Sequence, residues 1–244
     1  MGRRVSFRPT GCGAAIPREP PPAYNRGDRR RRRKAQGTEP VRLPSIPRLL
    51  LGPGVAIAIA LIPTGAGAVD FWKPFLGGAA SAFALHEGSH LALDLAFDAG
   101  PRLKGVSFGP LPFFAITHRS NLPPGHEALI SGAGFFSQHA GAEVILSTRA
   151  SGSSLSPFEK GVLAFHVGTS LAYAGAAFSK YGPFERDTRG IADATNSDER
   201  LIGALVLAPA VFDTWRALRP ESRTARWASL LSKAAFLGVI ALKR

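Results

Sequence analysis

The chain has 244 residues, with 30 Lys and Arg against 17 Asp and Glu and a formal net charge of +13. A single cysteine, Cys12, excludes a disulfide framework and a thiolate metal site, so any metal must be held by His and carboxylates. The charge is unevenly spread: residues 1–48 carry thirteen basic and three acidic side chains, leaving a remainder that is weakly basic and rich in Ala, Gly, Leu and Phe.

Residues 1–47 combine Pro17, Pro20, Pro21 and Pro22 with a basic run from Arg29 to Lys34 and little apolar material. Such a segment cannot bury enough surface to offset its chain entropy and is expected to be a disordered tail. The basic run has no aromatic interleaving and no binding fold around it, so nucleic acid is not an expected partner. Residues 48–68 read as a signal peptide or a first membrane helix. Arg42 and Arg48 precede an apolar run from Leu49 to Ile62, and Ala66-Gly67-Ala68 offers the small-residue pattern cleaved before Val69. A signal so far into the chain predicts a translation start later than Met1. Pro53 and Pro63 would keep a membrane helix here short.

Residues 69–244 hold the remaining apolar segments. Residues 75–97, 128–146 and 161–178 have the length of membrane spans, while 201–218 and 227–242 are shorter. Between the first two, Val106 to Thr117 is broken by Gly109, Pro110 and Pro112 and predicts a short β-hairpin-like insertion. The expected fold is therefore mostly α: a multi-spanning membrane helix bundle with this insertion after the first core helix. Basic residues in the 101–125 and 180–200 loops suit a cytoplasmic side, although Arg216, Arg219, Arg223 and Arg226 fall on the opposite one.

The first span contains His86-Glu87-Gly88-Ser89-His90. Two His four apart on a helix project from one face and can grip one metal ion, and the intervening Glu can polarise a metal-bound water. With six His and nine Glu in the chain, chance produces this pattern in roughly one such sequence in two hundred. Ionisable groups inside apolar spans are costly in lipid and normally face the bundle interior, where they mark function. By the same helical spacing, Asp94 shares the face of His86 and His90, one turn on, where it can orient an imidazole. His139 and Glu143 share a face of the next span.

A His-Glu-x-x-His helix of membrane length, then a short strand-rich loop, then a Gly-rich span with Ser131-Gly132-Ala133-Gly134 resembles the site-2 protease (peptidase M50) superfamily over roughly residues 75–146. The resemblance implies an intramembrane zinc metallopeptidase, with Zn2+ as cofactor, Glu87 as catalytic base, and His86 and His90 as ligands. It also implies a third ligand, an Asp, from a later segment. The family's Asn-x-x-Pro…Asp-Gly signature is absent. Asp187 in Glu185-Arg186-Asp187 is the first choice, Asp193 the second and Glu143 the third, with His139 and Asp94 as supporting groups. The implied partners are membrane lipid and a peptide or membrane-protein substrate, in a multi-pass protein of a bacterial inner membrane. Two rival readings are a non-catalytic membrane protein with a degenerate metal motif and an exported soluble zinc protease.

Overall fold

A computed structural model describes residues 68–108, 111–149 and 153–242, and the expected tail (1–47) and signal-like segment (48–68) lie, apart from Ala68, outside them. The described residues form six helices and one hairpin: α1 (Ala68–Ala96), β1 (Arg102–Phe108), β2 (Leu111–Thr117), α2 (Pro124–Thr148), α3 (Pro157–Ser179), α4 (Asp187–Ala194), α5 (Glu199–Leu218) and α6 (Arg223–Leu242). This is the mostly helical fold with a two-stranded insertion that the pattern predicts.

Local chemistry sets the helix ends. Helix α1 stops where Asp98 turns left-handed (φ 48°) and the Ala99 amide donates back to the Asp94 carbonyl at 2.7 Å, a closure that satisfies a terminal carbonyl. Helix α3 begins with Pro157 behind a capping box: the Ser156 amide donates to Glu159 Oε2 at 2.7 Å and the Glu159 amide to Ser156 Oγ at 3.3 Å. Asp198 caps α5 by accepting from the Arg200 amide at 2.8 Å.

Helices α3, α5 and α6 are long and apolar enough to cross a membrane. The expectation that 201–218 and 227–242 are shorter segments is corrected: α5 and α6 each run 20 residues, about 30 Å, the thickness of a bilayer core. Helices α1 and α2 are longer but fall short of that measure, because Lys73, His86, Glu87, His90 and Asp94 dilute one, and Ser, Gln, His and Glu side chains the other.

Helix α1 packs between α3 and α2, and α5 between α3 and α6. Where α1 crosses α3, Gly78 faces the Phe158 carbonyl and Gly161 faces the Phe75 carbonyl so closely that a Cβ at either would overlap backbone. Small residues at a crossing let two backbones approach, the usual means of helix association in lipid. Phe135, Ile191, Ile202, Val206, Phe236 and Ile240 fill the core between α2, α4, α5 and α6. Outward, Leu85, Leu95, Leu231 and Leu237 remain exposed, as suits a lipid-facing surface. The hairpin pairs antiparallel with Arg102 opposite Thr117 and Phe108 opposite Leu111.

Candidate metal centre

Helical spacing puts His86 and His90 on the buried face of α1, where they are 1 % and 7 % exposed. The third group comes from 97 residues further on. Asp187 opens the short helix α4, and its Oδ2 lies 3.2 Å from His86 Nε2 and 3.3 Å from His90 Nε2, while the two imidazole nitrogens are 3.4 Å apart. Ligand atoms arranged tetrahedrally at about 2.0–2.1 Å from a zinc ion stand about 3.3–3.4 Å from one another. The three atoms thus outline one face of a tetrahedron of the size that a metal such as zinc takes. Among the described residues this is the one group of His and carboxylate ligands drawn together closely enough to hold a metal.

Neighbouring residues hold each ligand in register. His90 Nδ1 donates to the Ile130 carbonyl at 2.7 Å, which fixes the tautomer and leaves Nε2 its lone pair for a metal. The His86 ring lies edge-on to Phe135, centroids 5.7 Å apart, and directly over Gly134, where a Cβ would overlap the imidazole. Gly134→Ala is therefore expected to push His86 off its position and weaken binding of any metal held there by about 10–100-fold while leaving helix content unchanged, as measured by metal titration and circular dichroism.

Asp187 is held from both sides. Arg186 forks onto Glu199, with Nε to Oε1 at 2.5 Å and Nη2 to Oε2 at 2.6 Å, and also donates to the Pro183 carbonyl. Thr188 Oγ1 adds a bond to Glu199 at 3.0 Å, and Glu185 pairs with Lys104 of β1. Tyr173 of α3 reaches the Asp187 carboxylate with its hydroxyl. Burial pushes the Asp187 carboxyl up, but the adjacent His90 and His86 imidazoles more than reverse this and hold it well below the usual carboxylate range. An ionised carboxylate is the form a metal needs. Glu87 follows His86 on α1 and is half-buried.

The remaining candidates lie elsewhere in the structure and have other partners. Asp193 is on the outer face of α4, paired with Arg189 at 3.5 Å, because six residues along a helix turn it away from Asp187. Glu143 is taken up by Arg216 and Lys233, each at 2.8 Å, and His139 packs on His166 with centroids 5.3 Å apart. Asp94 does not orient His90, a role the Ile130 carbonyl has; it faces His118 Nδ1 at 3.2 Å.

Compared with protein-family models, characterised proteins and solved structures, the chain finds no match. The geometry of the site carries the functional argument.

His118, in the loop leaving β2, joins that site to the hairpin. Besides Asp94 on α1 it meets Glu127 Oε2 on α2 at 2.8 Å, so one imidazole bridges two helices. The hydrogen bond with Glu127 raises its pKa despite partial burial, with Asp94 adding to the effect. A raised folded-state pKa makes the stabilisation complete below the unfolded value of about 6.5 and lost as pH climbs through the folded one. Amide protection factors of residues 102–117 are expected to hold below that pH and decline above it. In His118→Gln the pH dependence should vanish; a wild-type profile flat across neutrality would contradict the clasp.

Proposed function

We propose that the chain is a membrane-embedded zinc metallopeptidase that hydrolyses peptide bonds in or near the bilayer. The observation that carries this reading is the triangle of His86 Nε2, His90 Nε2 and Asp187 Oδ2, with edges of 3.2–3.4 Å. Three protein ligands with one open position is the arrangement of catalytic zinc sites, whereas structural sites are closed by four. A degenerate motif kept for packing alone has no need of a carboxylate converging as third group on the same point. The apolar exterior and three membrane-length helices favour a lipid environment over the exported soluble reading.

A zinc ion bound there supplies a Lewis acid for the scissile carbonyl and makes a coordinated water acidic near neutral pH. The chain's own residues do the rest. Glu87 accepts the proton of the attacking water as its oxygen bonds to the carbonyl carbon. As the carbon–nitrogen bond breaks, Glu87 hands that proton to the departing amine. Tyr173, Arg186 and Glu199 keep Asp187 in place. The edges of the two-stranded hairpin offer backbone groups to which an extended substrate segment can pair. The partners are membrane lipid and a peptide or membrane-protein substrate, and the setting is a multi-pass protein of a bacterial inner membrane.

Full-length protein extracted in detergent tests the reading. It is expected to carry one zinc per chain by elemental analysis and to cleave a reporter transmembrane peptide in liposomes only with the metal present. Protein that takes up no zinc, or zinc-loaded protein that cleaves no such peptide, overturns the proposal.

A further inference from the structure

A second polar constellation lies inside the bundle, apart from the metal centre. Its ionic end joins four helices. Asp213 of α5 accepts from Ser229 of α6 at 2.6 Å and pairs with Lys233 of α6 at 2.8 Å; Lys233 and Arg216 both reach Glu143 of α2 at 2.8 Å. Arg216 also donates to Ser147, an exposed residue one turn beyond Glu143, so this end opens outward. His166 of α3 meets Asp213 at 3.3 Å and is packed edge-on against His139. Every charged group at this end has a partner of opposite sign.

Toward the metal the pattern changes. Gln138 Oε1 and Nε2, His139 Nδ1 and Nε2, His166 Nδ1, Ser170 Oγ and His86 Nδ1 are all buried, and none has a hydrogen-bond partner among the described residues. These atoms are not scattered. On α2, Gln138 lies one turn beyond Gly134, the residue the His86 ring rests on, and Glu143 lies little more than a turn further. On α3, His166, Ser170 and Tyr173 fall at i, i+4 and i+7 on one stripe, and Tyr173 packs against His86 with ring centroids 6.2 Å apart. The two stripes run in opposite chain directions between the same two ends. From Gly134 to Glu143 the distance along the helix is roughly 13 Å.

Buried polar atoms without partners are rare in folded proteins, and a row of seven facing one seam demands a common hydrogen-bonding partner. Apolar ligands cannot satisfy amides, imidazoles and a hydroxyl together, and the charged groups at the ionic end are already paired with one another. We infer that the seam between α2 and α3 is a water-binding site: a file of internal water molecules running from His86 Nδ1 past Gln138, Ser170, His139 and His166 to the Asp213–Lys233–Glu143 cluster. Buried waters typically make about three hydrogen bonds each to such otherwise unsatisfied groups. A file of this kind gives a hydrolytic centre enclosed in lipid a route for water and protons to the outer end at Glu143. That use rests on the peptidase reading; the hydration does not.

Radiolytic footprinting of the full-length chain in nanodiscs, in 18O-labelled water, tests the inference without any need for turnover, because side chains touching bound water are oxidised with solvent oxygen. His139, His166, Phe135 and Phe236 are expected to be labelled while Phe71, buried on α1, is not. Absence of label at those four overturns the inference. In Gln138→Leu and in Ser170→Ala, labelling of His139 and Phe135 should be lost while one zinc per chain is retained. Label persisting at wild-type rates in both variants equally overturns it. If the label appears as expected in a protein that cleaves nothing, the seam stands and the peptidase reading falls.

Discussion

Glu87→Gln is expected to leave zinc stoichiometry and affinity unchanged and to reduce peptide cleavage by about 10²–10⁴-fold, the range that a positioned general base supplies. Glu87 follows His86 on α1, is half-buried, and supplies none of the three converging ligand atoms. Glutamine keeps the side chain's size and removes only its capacity to accept a proton. Metal titration and single-turnover cleavage on the same preparation separate the two effects. Loss of zinc in the variant would make Glu87 a ligand; full activity would remove it from the chemistry.

Asp187→Asn is expected to act on binding first, weakening zinc by at least about 100-fold, because one ligand loses its charge where its oxygen lies 3.2–3.3 Å from both imidazole nitrogens. Cobalt substituted for zinc should report the change as an altered visible spectrum. Asp193→Asn, on the outer face of the same short helix and paired with Arg189, should leave affinity and spectrum untouched. The contrast between two carboxylates six residues apart tests the site more sharply than either variant alone. If Asp193→Asn lost the metal and Asp187→Asn kept it, the described arrangement of α4 would be wrong.

Much of this arrangement was legible in local sequence. His86 and His90 are four residues apart, and the helical repeat alone puts them on one face. Gly109, Pro110 and Pro112 within Val106–Thr117 marked a break, and the strands run Arg102–Phe108 and Leu111–Thr117 around it. The single Tyr of α3, Tyr173, gave no signal, since an aromatic in an apolar helix usually just packs; its contact with Asp187 exists only because α3 and α4 meet beside His86. Nor did Gly134 stand out among 27 glycines, and the Ile130 carbonyl is a backbone group with no residue signature at all. The Arg186–Glu199 fork joins residues 13 apart across a turn, beyond the reach of helical periodicity.

The sequence by itself determined the helical, apolar character of residues 69–244, the hairpin, the paired imidazoles and the adjacent carboxylate of Glu87, because each depends on spacing along one element. Only the tertiary structure decided which carboxylate completes the triangle. Asp187, Asp193 and Glu143 are chemically equivalent as letters, and the choice among them turns on how α4 is pinned by Arg186 and Glu199 and which way each helix faces. Convergence of atoms from residues 86 and 187 is a long-range property, set by helix packing rather than by any local repeat.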